Sequence, residues 1–181
     1  MAVDINELQR RLHERILSLA AREAEDLKAA LGAVDDISLP LLRFHLLAEQ
    51  MLERIISGVL KRPDRILDEG RLTFAQKLSL VHAFDVVDDA AISALRRVNA
   101  LRNECAHVKG KQISESDIDR IGQPLGKDYQ DIKRANSRHL KQLLIFTLAR
   151  VAQPFIAAVL TPDAKAHLIT ELDSVMPLTD S

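Results

Sequence analysis

The chain contains few of the residues that mark several large classes of protein. Its 181 residues include one cysteine, no tryptophan, six glycines and six prolines, and only 3% are aromatic. Because Cys105 has no second cysteine to pair with, an intramolecular disulfide is excluded, which fits the reducing cytoplasm. The shortage of glycine and proline argues against a β protein rich in turns. The shortage of aromatic residues argues against a platform on which single-stranded nucleic acid stacks its bases.

Charge of either sign is also not in excess. The 25 basic and 26 acidic residues give a formal net charge of −1, so no overall attraction to nucleic acid or to an anionic membrane is expected. An RNA-binding surface would have to be a local basic patch, although such charges are usually just a solvated helix face. The candidates are Lys127, Lys133, Arg134, Arg138 and Lys141, with Tyr129 nearby, and Arg96, Arg97, Lys109 and Lys111.

The sequence does not indicate a secreted or membrane-spanning protein. The first residues include Asp4, Glu7 and Arg10 rather than the apolar core of a signal peptide. The most apolar stretch, residues 140–160, is interrupted by polar residues and by Pro154, which favours the core helix of a soluble protein. We therefore expect a cytoplasmic protein with no membrane partner.

Along most of the chain, apolar residues recur at steps of three and four, which is typical of amphipathic helices. No segment shows the alternation of a β-strand. The sequence predicts an all-α, single-domain helical bundle of about six to seven helices. Its core would span about residues 36–160, with an N-terminal helix over 4–31 and a C-terminal helix over 161–172 packing on it.

Several helix starts carry recognisable capping signals. Thr73 and Gln76 form the pattern of a capping box, Asp88 or Asp89 can cap the helix that follows, and Ser114 can start a short one. A long helix is predicted over about 131–160, which Pro154 should kink or divide. Thr161-Pro162 has the pattern of a cap and first turn and predicts a separate last helix.

The most informative stretch is the end of the helix predicted over about 88–108. There the polar residues Asn99, Arg102, Asn103 and His107 lie beside an apolar face, and buried polar groups without partners are costly. Asn99, Asn103 and His107 share a stripe at steps of four. Arg102 and His107 are ~140° apart around the helix axis, but both can reach one groove if the helix ends near His107.

Two further polar residues, His45 and Glu49, interrupt the apolar stripe of the helix predicted over about 38–61. In a purely structural interpretation, Arg102 pairs with Glu49, and the asparagines cap neighbouring helix ends. Helical spacing alone favours that interpretation. Glu49 would then also orient the guanidinium of Arg102, so Glu49 and Asn99 are the expected supporting residues under either interpretation. Cys105, on the apolar face, is expected to be a small core residue.

An arginine with a histidine suits the chemistry of phosphate esters. A guanidinium binds a phosphate through paired hydrogen bonds and stays charged, and an imidazole can move a proton near neutral pH. Together they could cleave RNA through the ribose 2′-hydroxyl without a metal ion. One copy offers few such groups, whereas a two-fold homodimer would bring two copies together.

Metal binding is not expected. Glu104 and His107 form one Glu-x-x-His pair, but a carboxylate-bridged di-metal bundle needs a second pair and two further glutamates, and the chain has no second Glu-x-x-His. We predict no metal and no cofactor.

The segment Leu101-Arg-Asn-Glu-Cys-Ala-His107 resembles the motif of the HEPN superfamily, in which an Arg, a polar residue, a short spacer and a His close a helix of a small α-bundle. The segment Leu72-Thr-Phe-Ala-Gln-Lys-Leu-Ser-Leu80, with the motif, resembles the mannitol operon repressor-like proteins. The resemblance covers roughly residues 39–108.

The HEPN resemblance implies a bundle that dimerises with its motif helices facing each other. It implies a metal-independent endoribonuclease, often of a toxin–antitoxin or defence system, and hence an antitoxin as partner. Arg102 would hold the scissile phosphate, Asn103 would support it, and His107 would transfer a proton or position the 2′-hydroxyl.

The repressor-like resemblance implies a different function on the same scaffold. In that case the chain is a non-catalytic transcriptional regulator or interaction protein with a regulatory partner, and the polar cluster is mainly structural. No helix-turn-helix reader is recognisable in the sequence, which argues against direct DNA binding.

Overall fold

The computed structural model describes the backbone of residues 5–31 and 36–175, and the side chains of residues 10, 11, 13–31 and 36–160. Within these ranges all regular structure is helical, which confirms the all-α prediction. The helices are α1 (Ile5–Leu31), α2 (Ser38–Val59), α3 (Asp64–Leu67), α4 (Phe74–Ala83), α5 (Asp89–His107), α6 (Glu115–Gly122), a 3₁₀ turn (Gln123–Leu125), α7 (Lys127–Asn136) and α8 (Leu140–Val175).

Helix α2 lies at the centre of the bundle and packs against α1, α4, α5 and α8. On its inner side, apolar side chains recur at helical spacing and are fully buried, which removes a wide apolar stripe from water. α8 supplies the facing side of the core with another such stripe. The residues concerned are Leu41, Phe44, Met51, Leu52 and Ile55 of α2, and Leu144, Leu148, Val151 and Phe155 of α8.

Three of the predicted capping signals begin a helix, at Thr73, Asp88 and Ser114. Thr73 caps α4 in a complete capping box with Gln76. The Asp88 carboxylate accepts a hydrogen bond from the Ala91 backbone N–H and begins α5. Ser114 begins α6. Each cap pairs backbone donors that the first turn of a helix leaves free, and so fixes where the helix starts.

The prediction of one helix over 131–160 is wrong, because the chain forms two helices there. α7 ends at Asn136, whose side-chain amide donates to the Ile132 carbonyl at 2.9 Å. Asparagine and serine side chains compete with the backbone for such hydrogen bonds, so Asn136-Ser137 favours a helix end. α7 also begins before residue 131, at Lys127.

Pro154 does not divide the helix, and the prediction of a separate last helix beginning at Thr161-Pro162 is wrong. α8 runs through Pro154 and through Thr161-Pro162 to Val175, so the helix predicted over 161–172 is not a separate element. A proline removes one backbone donor from the helix interior, and the buried side chains of Val151 and Phe155 hold the helix on both sides of Pro154. The predicted first residue of α1, at position 4, lies outside the described residues.

In the part of the chain that the structure describes, one helical segment, Leu140–Leu160, is long and apolar enough to cross a membrane. Of its most apolar window, 44% is buried inside the fold. A core helix of a soluble protein has the same composition, and its buried side chains pack into the core formed with α2. The segment is therefore explained as a core helix.

Candidate functional site

The polar residues at the end of α5 lie side by side on one face of the helix. Asn99, Arg102 and Asn103 are half-buried and are separated by three and four residues, so their side chains are neighbours. The Arg102 Nη1 donates to Asn103 Oδ1 at 3.2 Å. The structure thus joins two of the three residues predicted to be catalytic, and it places the predicted supporting residue Asn99 beside them.

His45 of α2 belongs to the same cluster, although it was not among the site residues predicted from the sequence. Its Nε2 lies 2.9 Å from Asn99 Oδ1, and its ring stacks on Phe74 with centroids 4.2 Å apart. A carbonyl oxygen only accepts, so Nε2 is the donor. The sequence indicated that His45 is unusual, because it interrupts an apolar stripe. The stripe does not show that Asn99 is the partner of His45.

The imidazole of His45 is held in its neutral form. Burial lowers its pKa, and the positive charge of Arg102 adds to this, while the hydrogen bond to Asn99 and the charge of Glu49 act the other way. The net shift is downward from the usual value near 6.5. At neutral pH, His45 therefore donates to Asn99 without adding a second positive charge beside Arg102.

Glu49 pairs with Lys77 and not with Arg102, so the interpretation that Glu49 is the partner of Arg102 is wrong. The Lys77 ammonium lies 2.7 Å from the Glu49 carboxylate and 2.5 Å from the Glu53 carboxylate. Burial alone would lower the pKa of Lys77, but the two carboxylates outweigh burial and raise it. Lys77 of α4 lies against Glu49 and Glu53 of α2, so the Glu49 carboxylate is already paired. This arrangement of helices is not visible in the sequence.

Arg102 is a half-buried cation that forms no ion pair with any described side chain. Its one hydrogen-bond acceptor among those residues is the neutral amide of Asn103. Other arginines on the bundle do have carboxylate partners, such as Arg120 with Asp117 and Arg150 with Asp128. The remaining N–H groups of Arg102 have no partner among the described residues, and a guanidinium fork fits a phosphate or carboxylate.

His107 is the last residue of α5, and its side chain is exposed. Within the described ranges it forms no side-chain hydrogen bond or ion pair, so it is not bonded to Arg102. It lies four residues beyond Asn103, on the stripe predicted from the sequence. The helix ends at His107, which is the condition for the imidazole to turn toward the groove of Arg102.

Three of the nine basic residues in the predicted patches, Lys111, Lys133 and Arg134, are paired with carboxylates. Lys133 pairs with Glu115 at 3.0 Å and with Asp119 at 2.6 Å, and Lys111 pairs with Asp117 at 2.9 Å. The ring of Tyr129 is buried against Gly122, so it is not open to a base. The exposed basic residues without a carboxylate partner among the described side chains include Lys109, Lys127 and Arg138.

Glu104, half of the Glu-x-x-His pair, is engaged with cations. Its carboxylate lies 3.3 Å from Arg120 and 3.7 Å from Lys111. No group of three or more His, Cys, Asp or Glu side chains among the described residues is placed to hold a metal ion. Cys105 lies half-buried against the core, and burial raises the pKa of its thiol, which disfavours the reactive thiolate.

Comparisons with protein-family models, with curated proteins and with solved structures find no match to this chain. What the site can do chemically has to follow from its own side chains. These offer a guanidinium with free donors, two carboxamides and an exposed imidazole, which together can bind a phosphate and move a proton.

Proposed function

We propose that this chain is a HEPN-like, homodimeric, cytoplasmic endoribonuclease of toxin or defence type that works without a metal ion. The observation that carries the proposal is the state of Arg102, which is half-buried, bonded to Asn103, and without a carboxylate partner among the described residues, on the helix that ends at the exposed His107. A cation left unpaired at the edge of a core has a cost, and an anionic ligand would offset it.

The proposed reaction uses the ribose as its own nucleophile. Arg102 holds the scissile phosphate with Asn103 beside it, and His107 takes the proton of the 2′-hydroxyl. The 2′-oxygen then bonds to phosphorus, and the bond from phosphorus to the 5′-oxygen breaks. The products are a 2′,3′-cyclic phosphate and a 5′-hydroxyl, with the leaving oxygen taking up a proton from the second copy or from water.

A homodimer would complete this site, since one copy contributes a single exposed imidazole there. Apolar side chains for such a contact are present on α2, where Leu46 is 60% exposed and Leu42 is 37% exposed. Leu46 directly follows His45 in the chain. A two-fold contact over these leucines would bring the Arg102 clusters of the two copies toward each other.

The test is cleavage of a structured RNA by the purified protein in EDTA, with the molecular mass measured by light scattering. We expect cleavage that EDTA does not inhibit, fragments that end in a 2′,3′-cyclic phosphate, and the mass of a dimer. A protein that cuts none of a range of RNAs, with and without magnesium, contradicts the proposal.

A second function is favoured by a different observation. His45 bonds to Asn99 and Arg102 bonds to Asn103, and none of the buried side-chain nitrogen or oxygen atoms among the described residues lacks a partner. A network satisfied in this way could serve the fold alone, in a non-catalytic, mannitol repressor-like regulator or interaction protein. Each function implies a protein partner. For the nuclease it would be an antitoxin, and for this alternative a regulatory protein.

A further inference from the structure

We propose that His45 is a positioning residue that turns the amide NH₂ group of Asn99 outward, so that the cluster around Arg102 presents only hydrogen-bond donors and binds the oxygens of a phosphodiester. The inference rests on the proposed function, because it concerns the same cluster. It adds two residues from outside the Arg-Asn-x-x-x-His motif and assigns the cluster's ligand by its chemistry.

The orientation of Asn99 follows from its bond to His45. A carboxamide has its acceptor oxygen on one side and its donor NH₂ on the other. Because the Asn99 oxygen accepts from His45 Nε2 at 2.9 Å, its NH₂ faces away from α2. That NH₂ has no partner among the described residues, and no buried side-chain nitrogen is left unpaired, so solvent reaches it.

Asn103 is oriented in the same sense by Arg102. Its oxygen accepts from Arg102 Nη1 at 3.2 Å, which leaves its NH₂ group open. In both asparagines, therefore, the side-chain oxygen accepts a hydrogen bond inside the cluster, and the NH₂ group remains for a ligand. Arg102 itself has donors only.

The open groups of the cluster select the ligand. Arg102, Asn99 and Asn103 offer N–H donors around one fixed positive charge, which suits an anion with several oxygens and rejects a metal cation. Glu49, the carboxylate that also acts on His45, is held by Lys77. A phosphodiester carries the two unesterified oxygens and the single negative charge that this arrangement fits.

His45 can fix Asn99 because His45 itself is fixed. Its ring is buried and stacked on Phe74, at the start of α4. If His45 no longer donated, the Asn99 amide could rotate and present its oxygen to the ligand, and an oxygen repels an anion. The residue thus acts on the ligand through Asn99 and does not touch it.

The experiment measures binding of inorganic phosphate to the full chain by isothermal titration calorimetry at constant ionic strength. Asn99→Asp keeps the acceptor for His45 but replaces the outward NH₂ with a charged oxygen, so we expect phosphate affinity to fall at least tenfold. Gln50→Glu is the matched control, because it adds the same charge at an exposed position of α2 and should change affinity less than twofold.

Two variants of His45 separate positioning from packing. His45→Phe keeps a stacked ring without a donor and should lower phosphate affinity three- to tenfold. His45→Gln restores an N–H donor near the position of Nε2 and should bring affinity back toward the wild type. Circular dichroism identifies any variant that fails to fold, and the remaining variants then decide the result.

The outcomes for the two proposals differ. If phosphate binding requires Asn99 and the His45 donor but no RNA is cut, the inference stands and the nuclease function fails. If wild-type protein does not bind phosphate, or if Asn99→Asp binds it as tightly as wild type, the inference is overturned, whether or not RNA is cut. Equal loss in His45→Phe and His45→Gln also overturns the positioning role.

Discussion

RNA cleavage by the His107→Ala variant should fall at least about 100-fold, while its thermal unfolding midpoint stays within about 2 °C of the wild type. General acid–base catalysis commonly contributes factors of this size, and His107 is the proposed base. The side chain is exposed and has no partner among the described residues, so its removal leaves no cavity and no unpaired group.

The matched control is His139→Ala. His139 is also exposed, and it lies between α7 and α8 rather than in the cluster. Its replacement should leave cleavage within twofold of the wild type. Both rates are measured on the same fluorescent RNA in EDTA, with unfolding followed by calorimetry. A His107→Ala variant that still cuts RNA at the wild-type rate would remove His107 from the mechanism.

The second large effect is on stability, where Asp117→Asn should lower the free energy of unfolding by about 3 kcal/mol. Asp117 is only 3% exposed, and it accepts from the Ser114 backbone, from Lys111 at 2.9 Å and from Arg120 at 2.5 Å. An amide keeps the shape but cannot neutralise the two cations. Since both cations also reach Glu104 on α5, the network ties α6 to the end of the helix that carries the site.

This loss should depend on pH. Burial alone would raise the pKa of Asp117, but its hydrogen bonds outweigh burial and hold the pKa far below the usual 3.8. A carboxylate with a depressed folded-state pKa stabilises the fold above its unfolded pKa and loses that contribution as pH falls toward the folded-state value. The difference between wild type and Asp117→Asn should therefore be constant from about pH 5 to 8 and shrink below about pH 4.

Urea unfolding at each pH measures the difference, with Asp131→Asn as the control. Asp131 pairs with Arg134 on an exposed helix face, where ion pairs contribute at most about 1 kcal/mol. A loss in Asp117→Asn no larger than in this control, or one that grows as pH falls from 5 to 3, would show that Asp117 does not hold α6 to α5 through its charge.

The parts of the fold that depend on local sequence could be predicted. The capping box at Thr73 and the helix start at Ser114 depend on residues three apart, and apolar spacing marks the buried face of α5. The break after Asn136 and the continuity through Pro162 could not be predicted with the same rules. The helix ends at the first of these places and continues at the second, and local spacing does not decide between the two outcomes.

The candidate site divides in the same way. Asn99, Asn103 and His107 share a stripe at steps of four, so their common face could be anticipated from spacing. The bond between His45 and Asn99 joins residues 54 apart in the chain, and only the packing of α2 on α5 brings them together. From the sequence, Arg102 was the expected partner of Glu49, and only the position of α4 shows that Lys77 takes that place.

The most direct measurement is an NMR titration of the wild-type protein with a short 2′-O-methyl RNA, which has no free 2′-hydroxyl to attack the phosphate. Saturable shifts of the Arg102 Nε–H and of the Asn99 and Asn103 side-chain amides are expected, because these donors would contact the phosphodiester. If these three signals stay unchanged while the RNA shifts only signals near Lys127 and Arg138, the cluster is not the binding site and the account is contradicted.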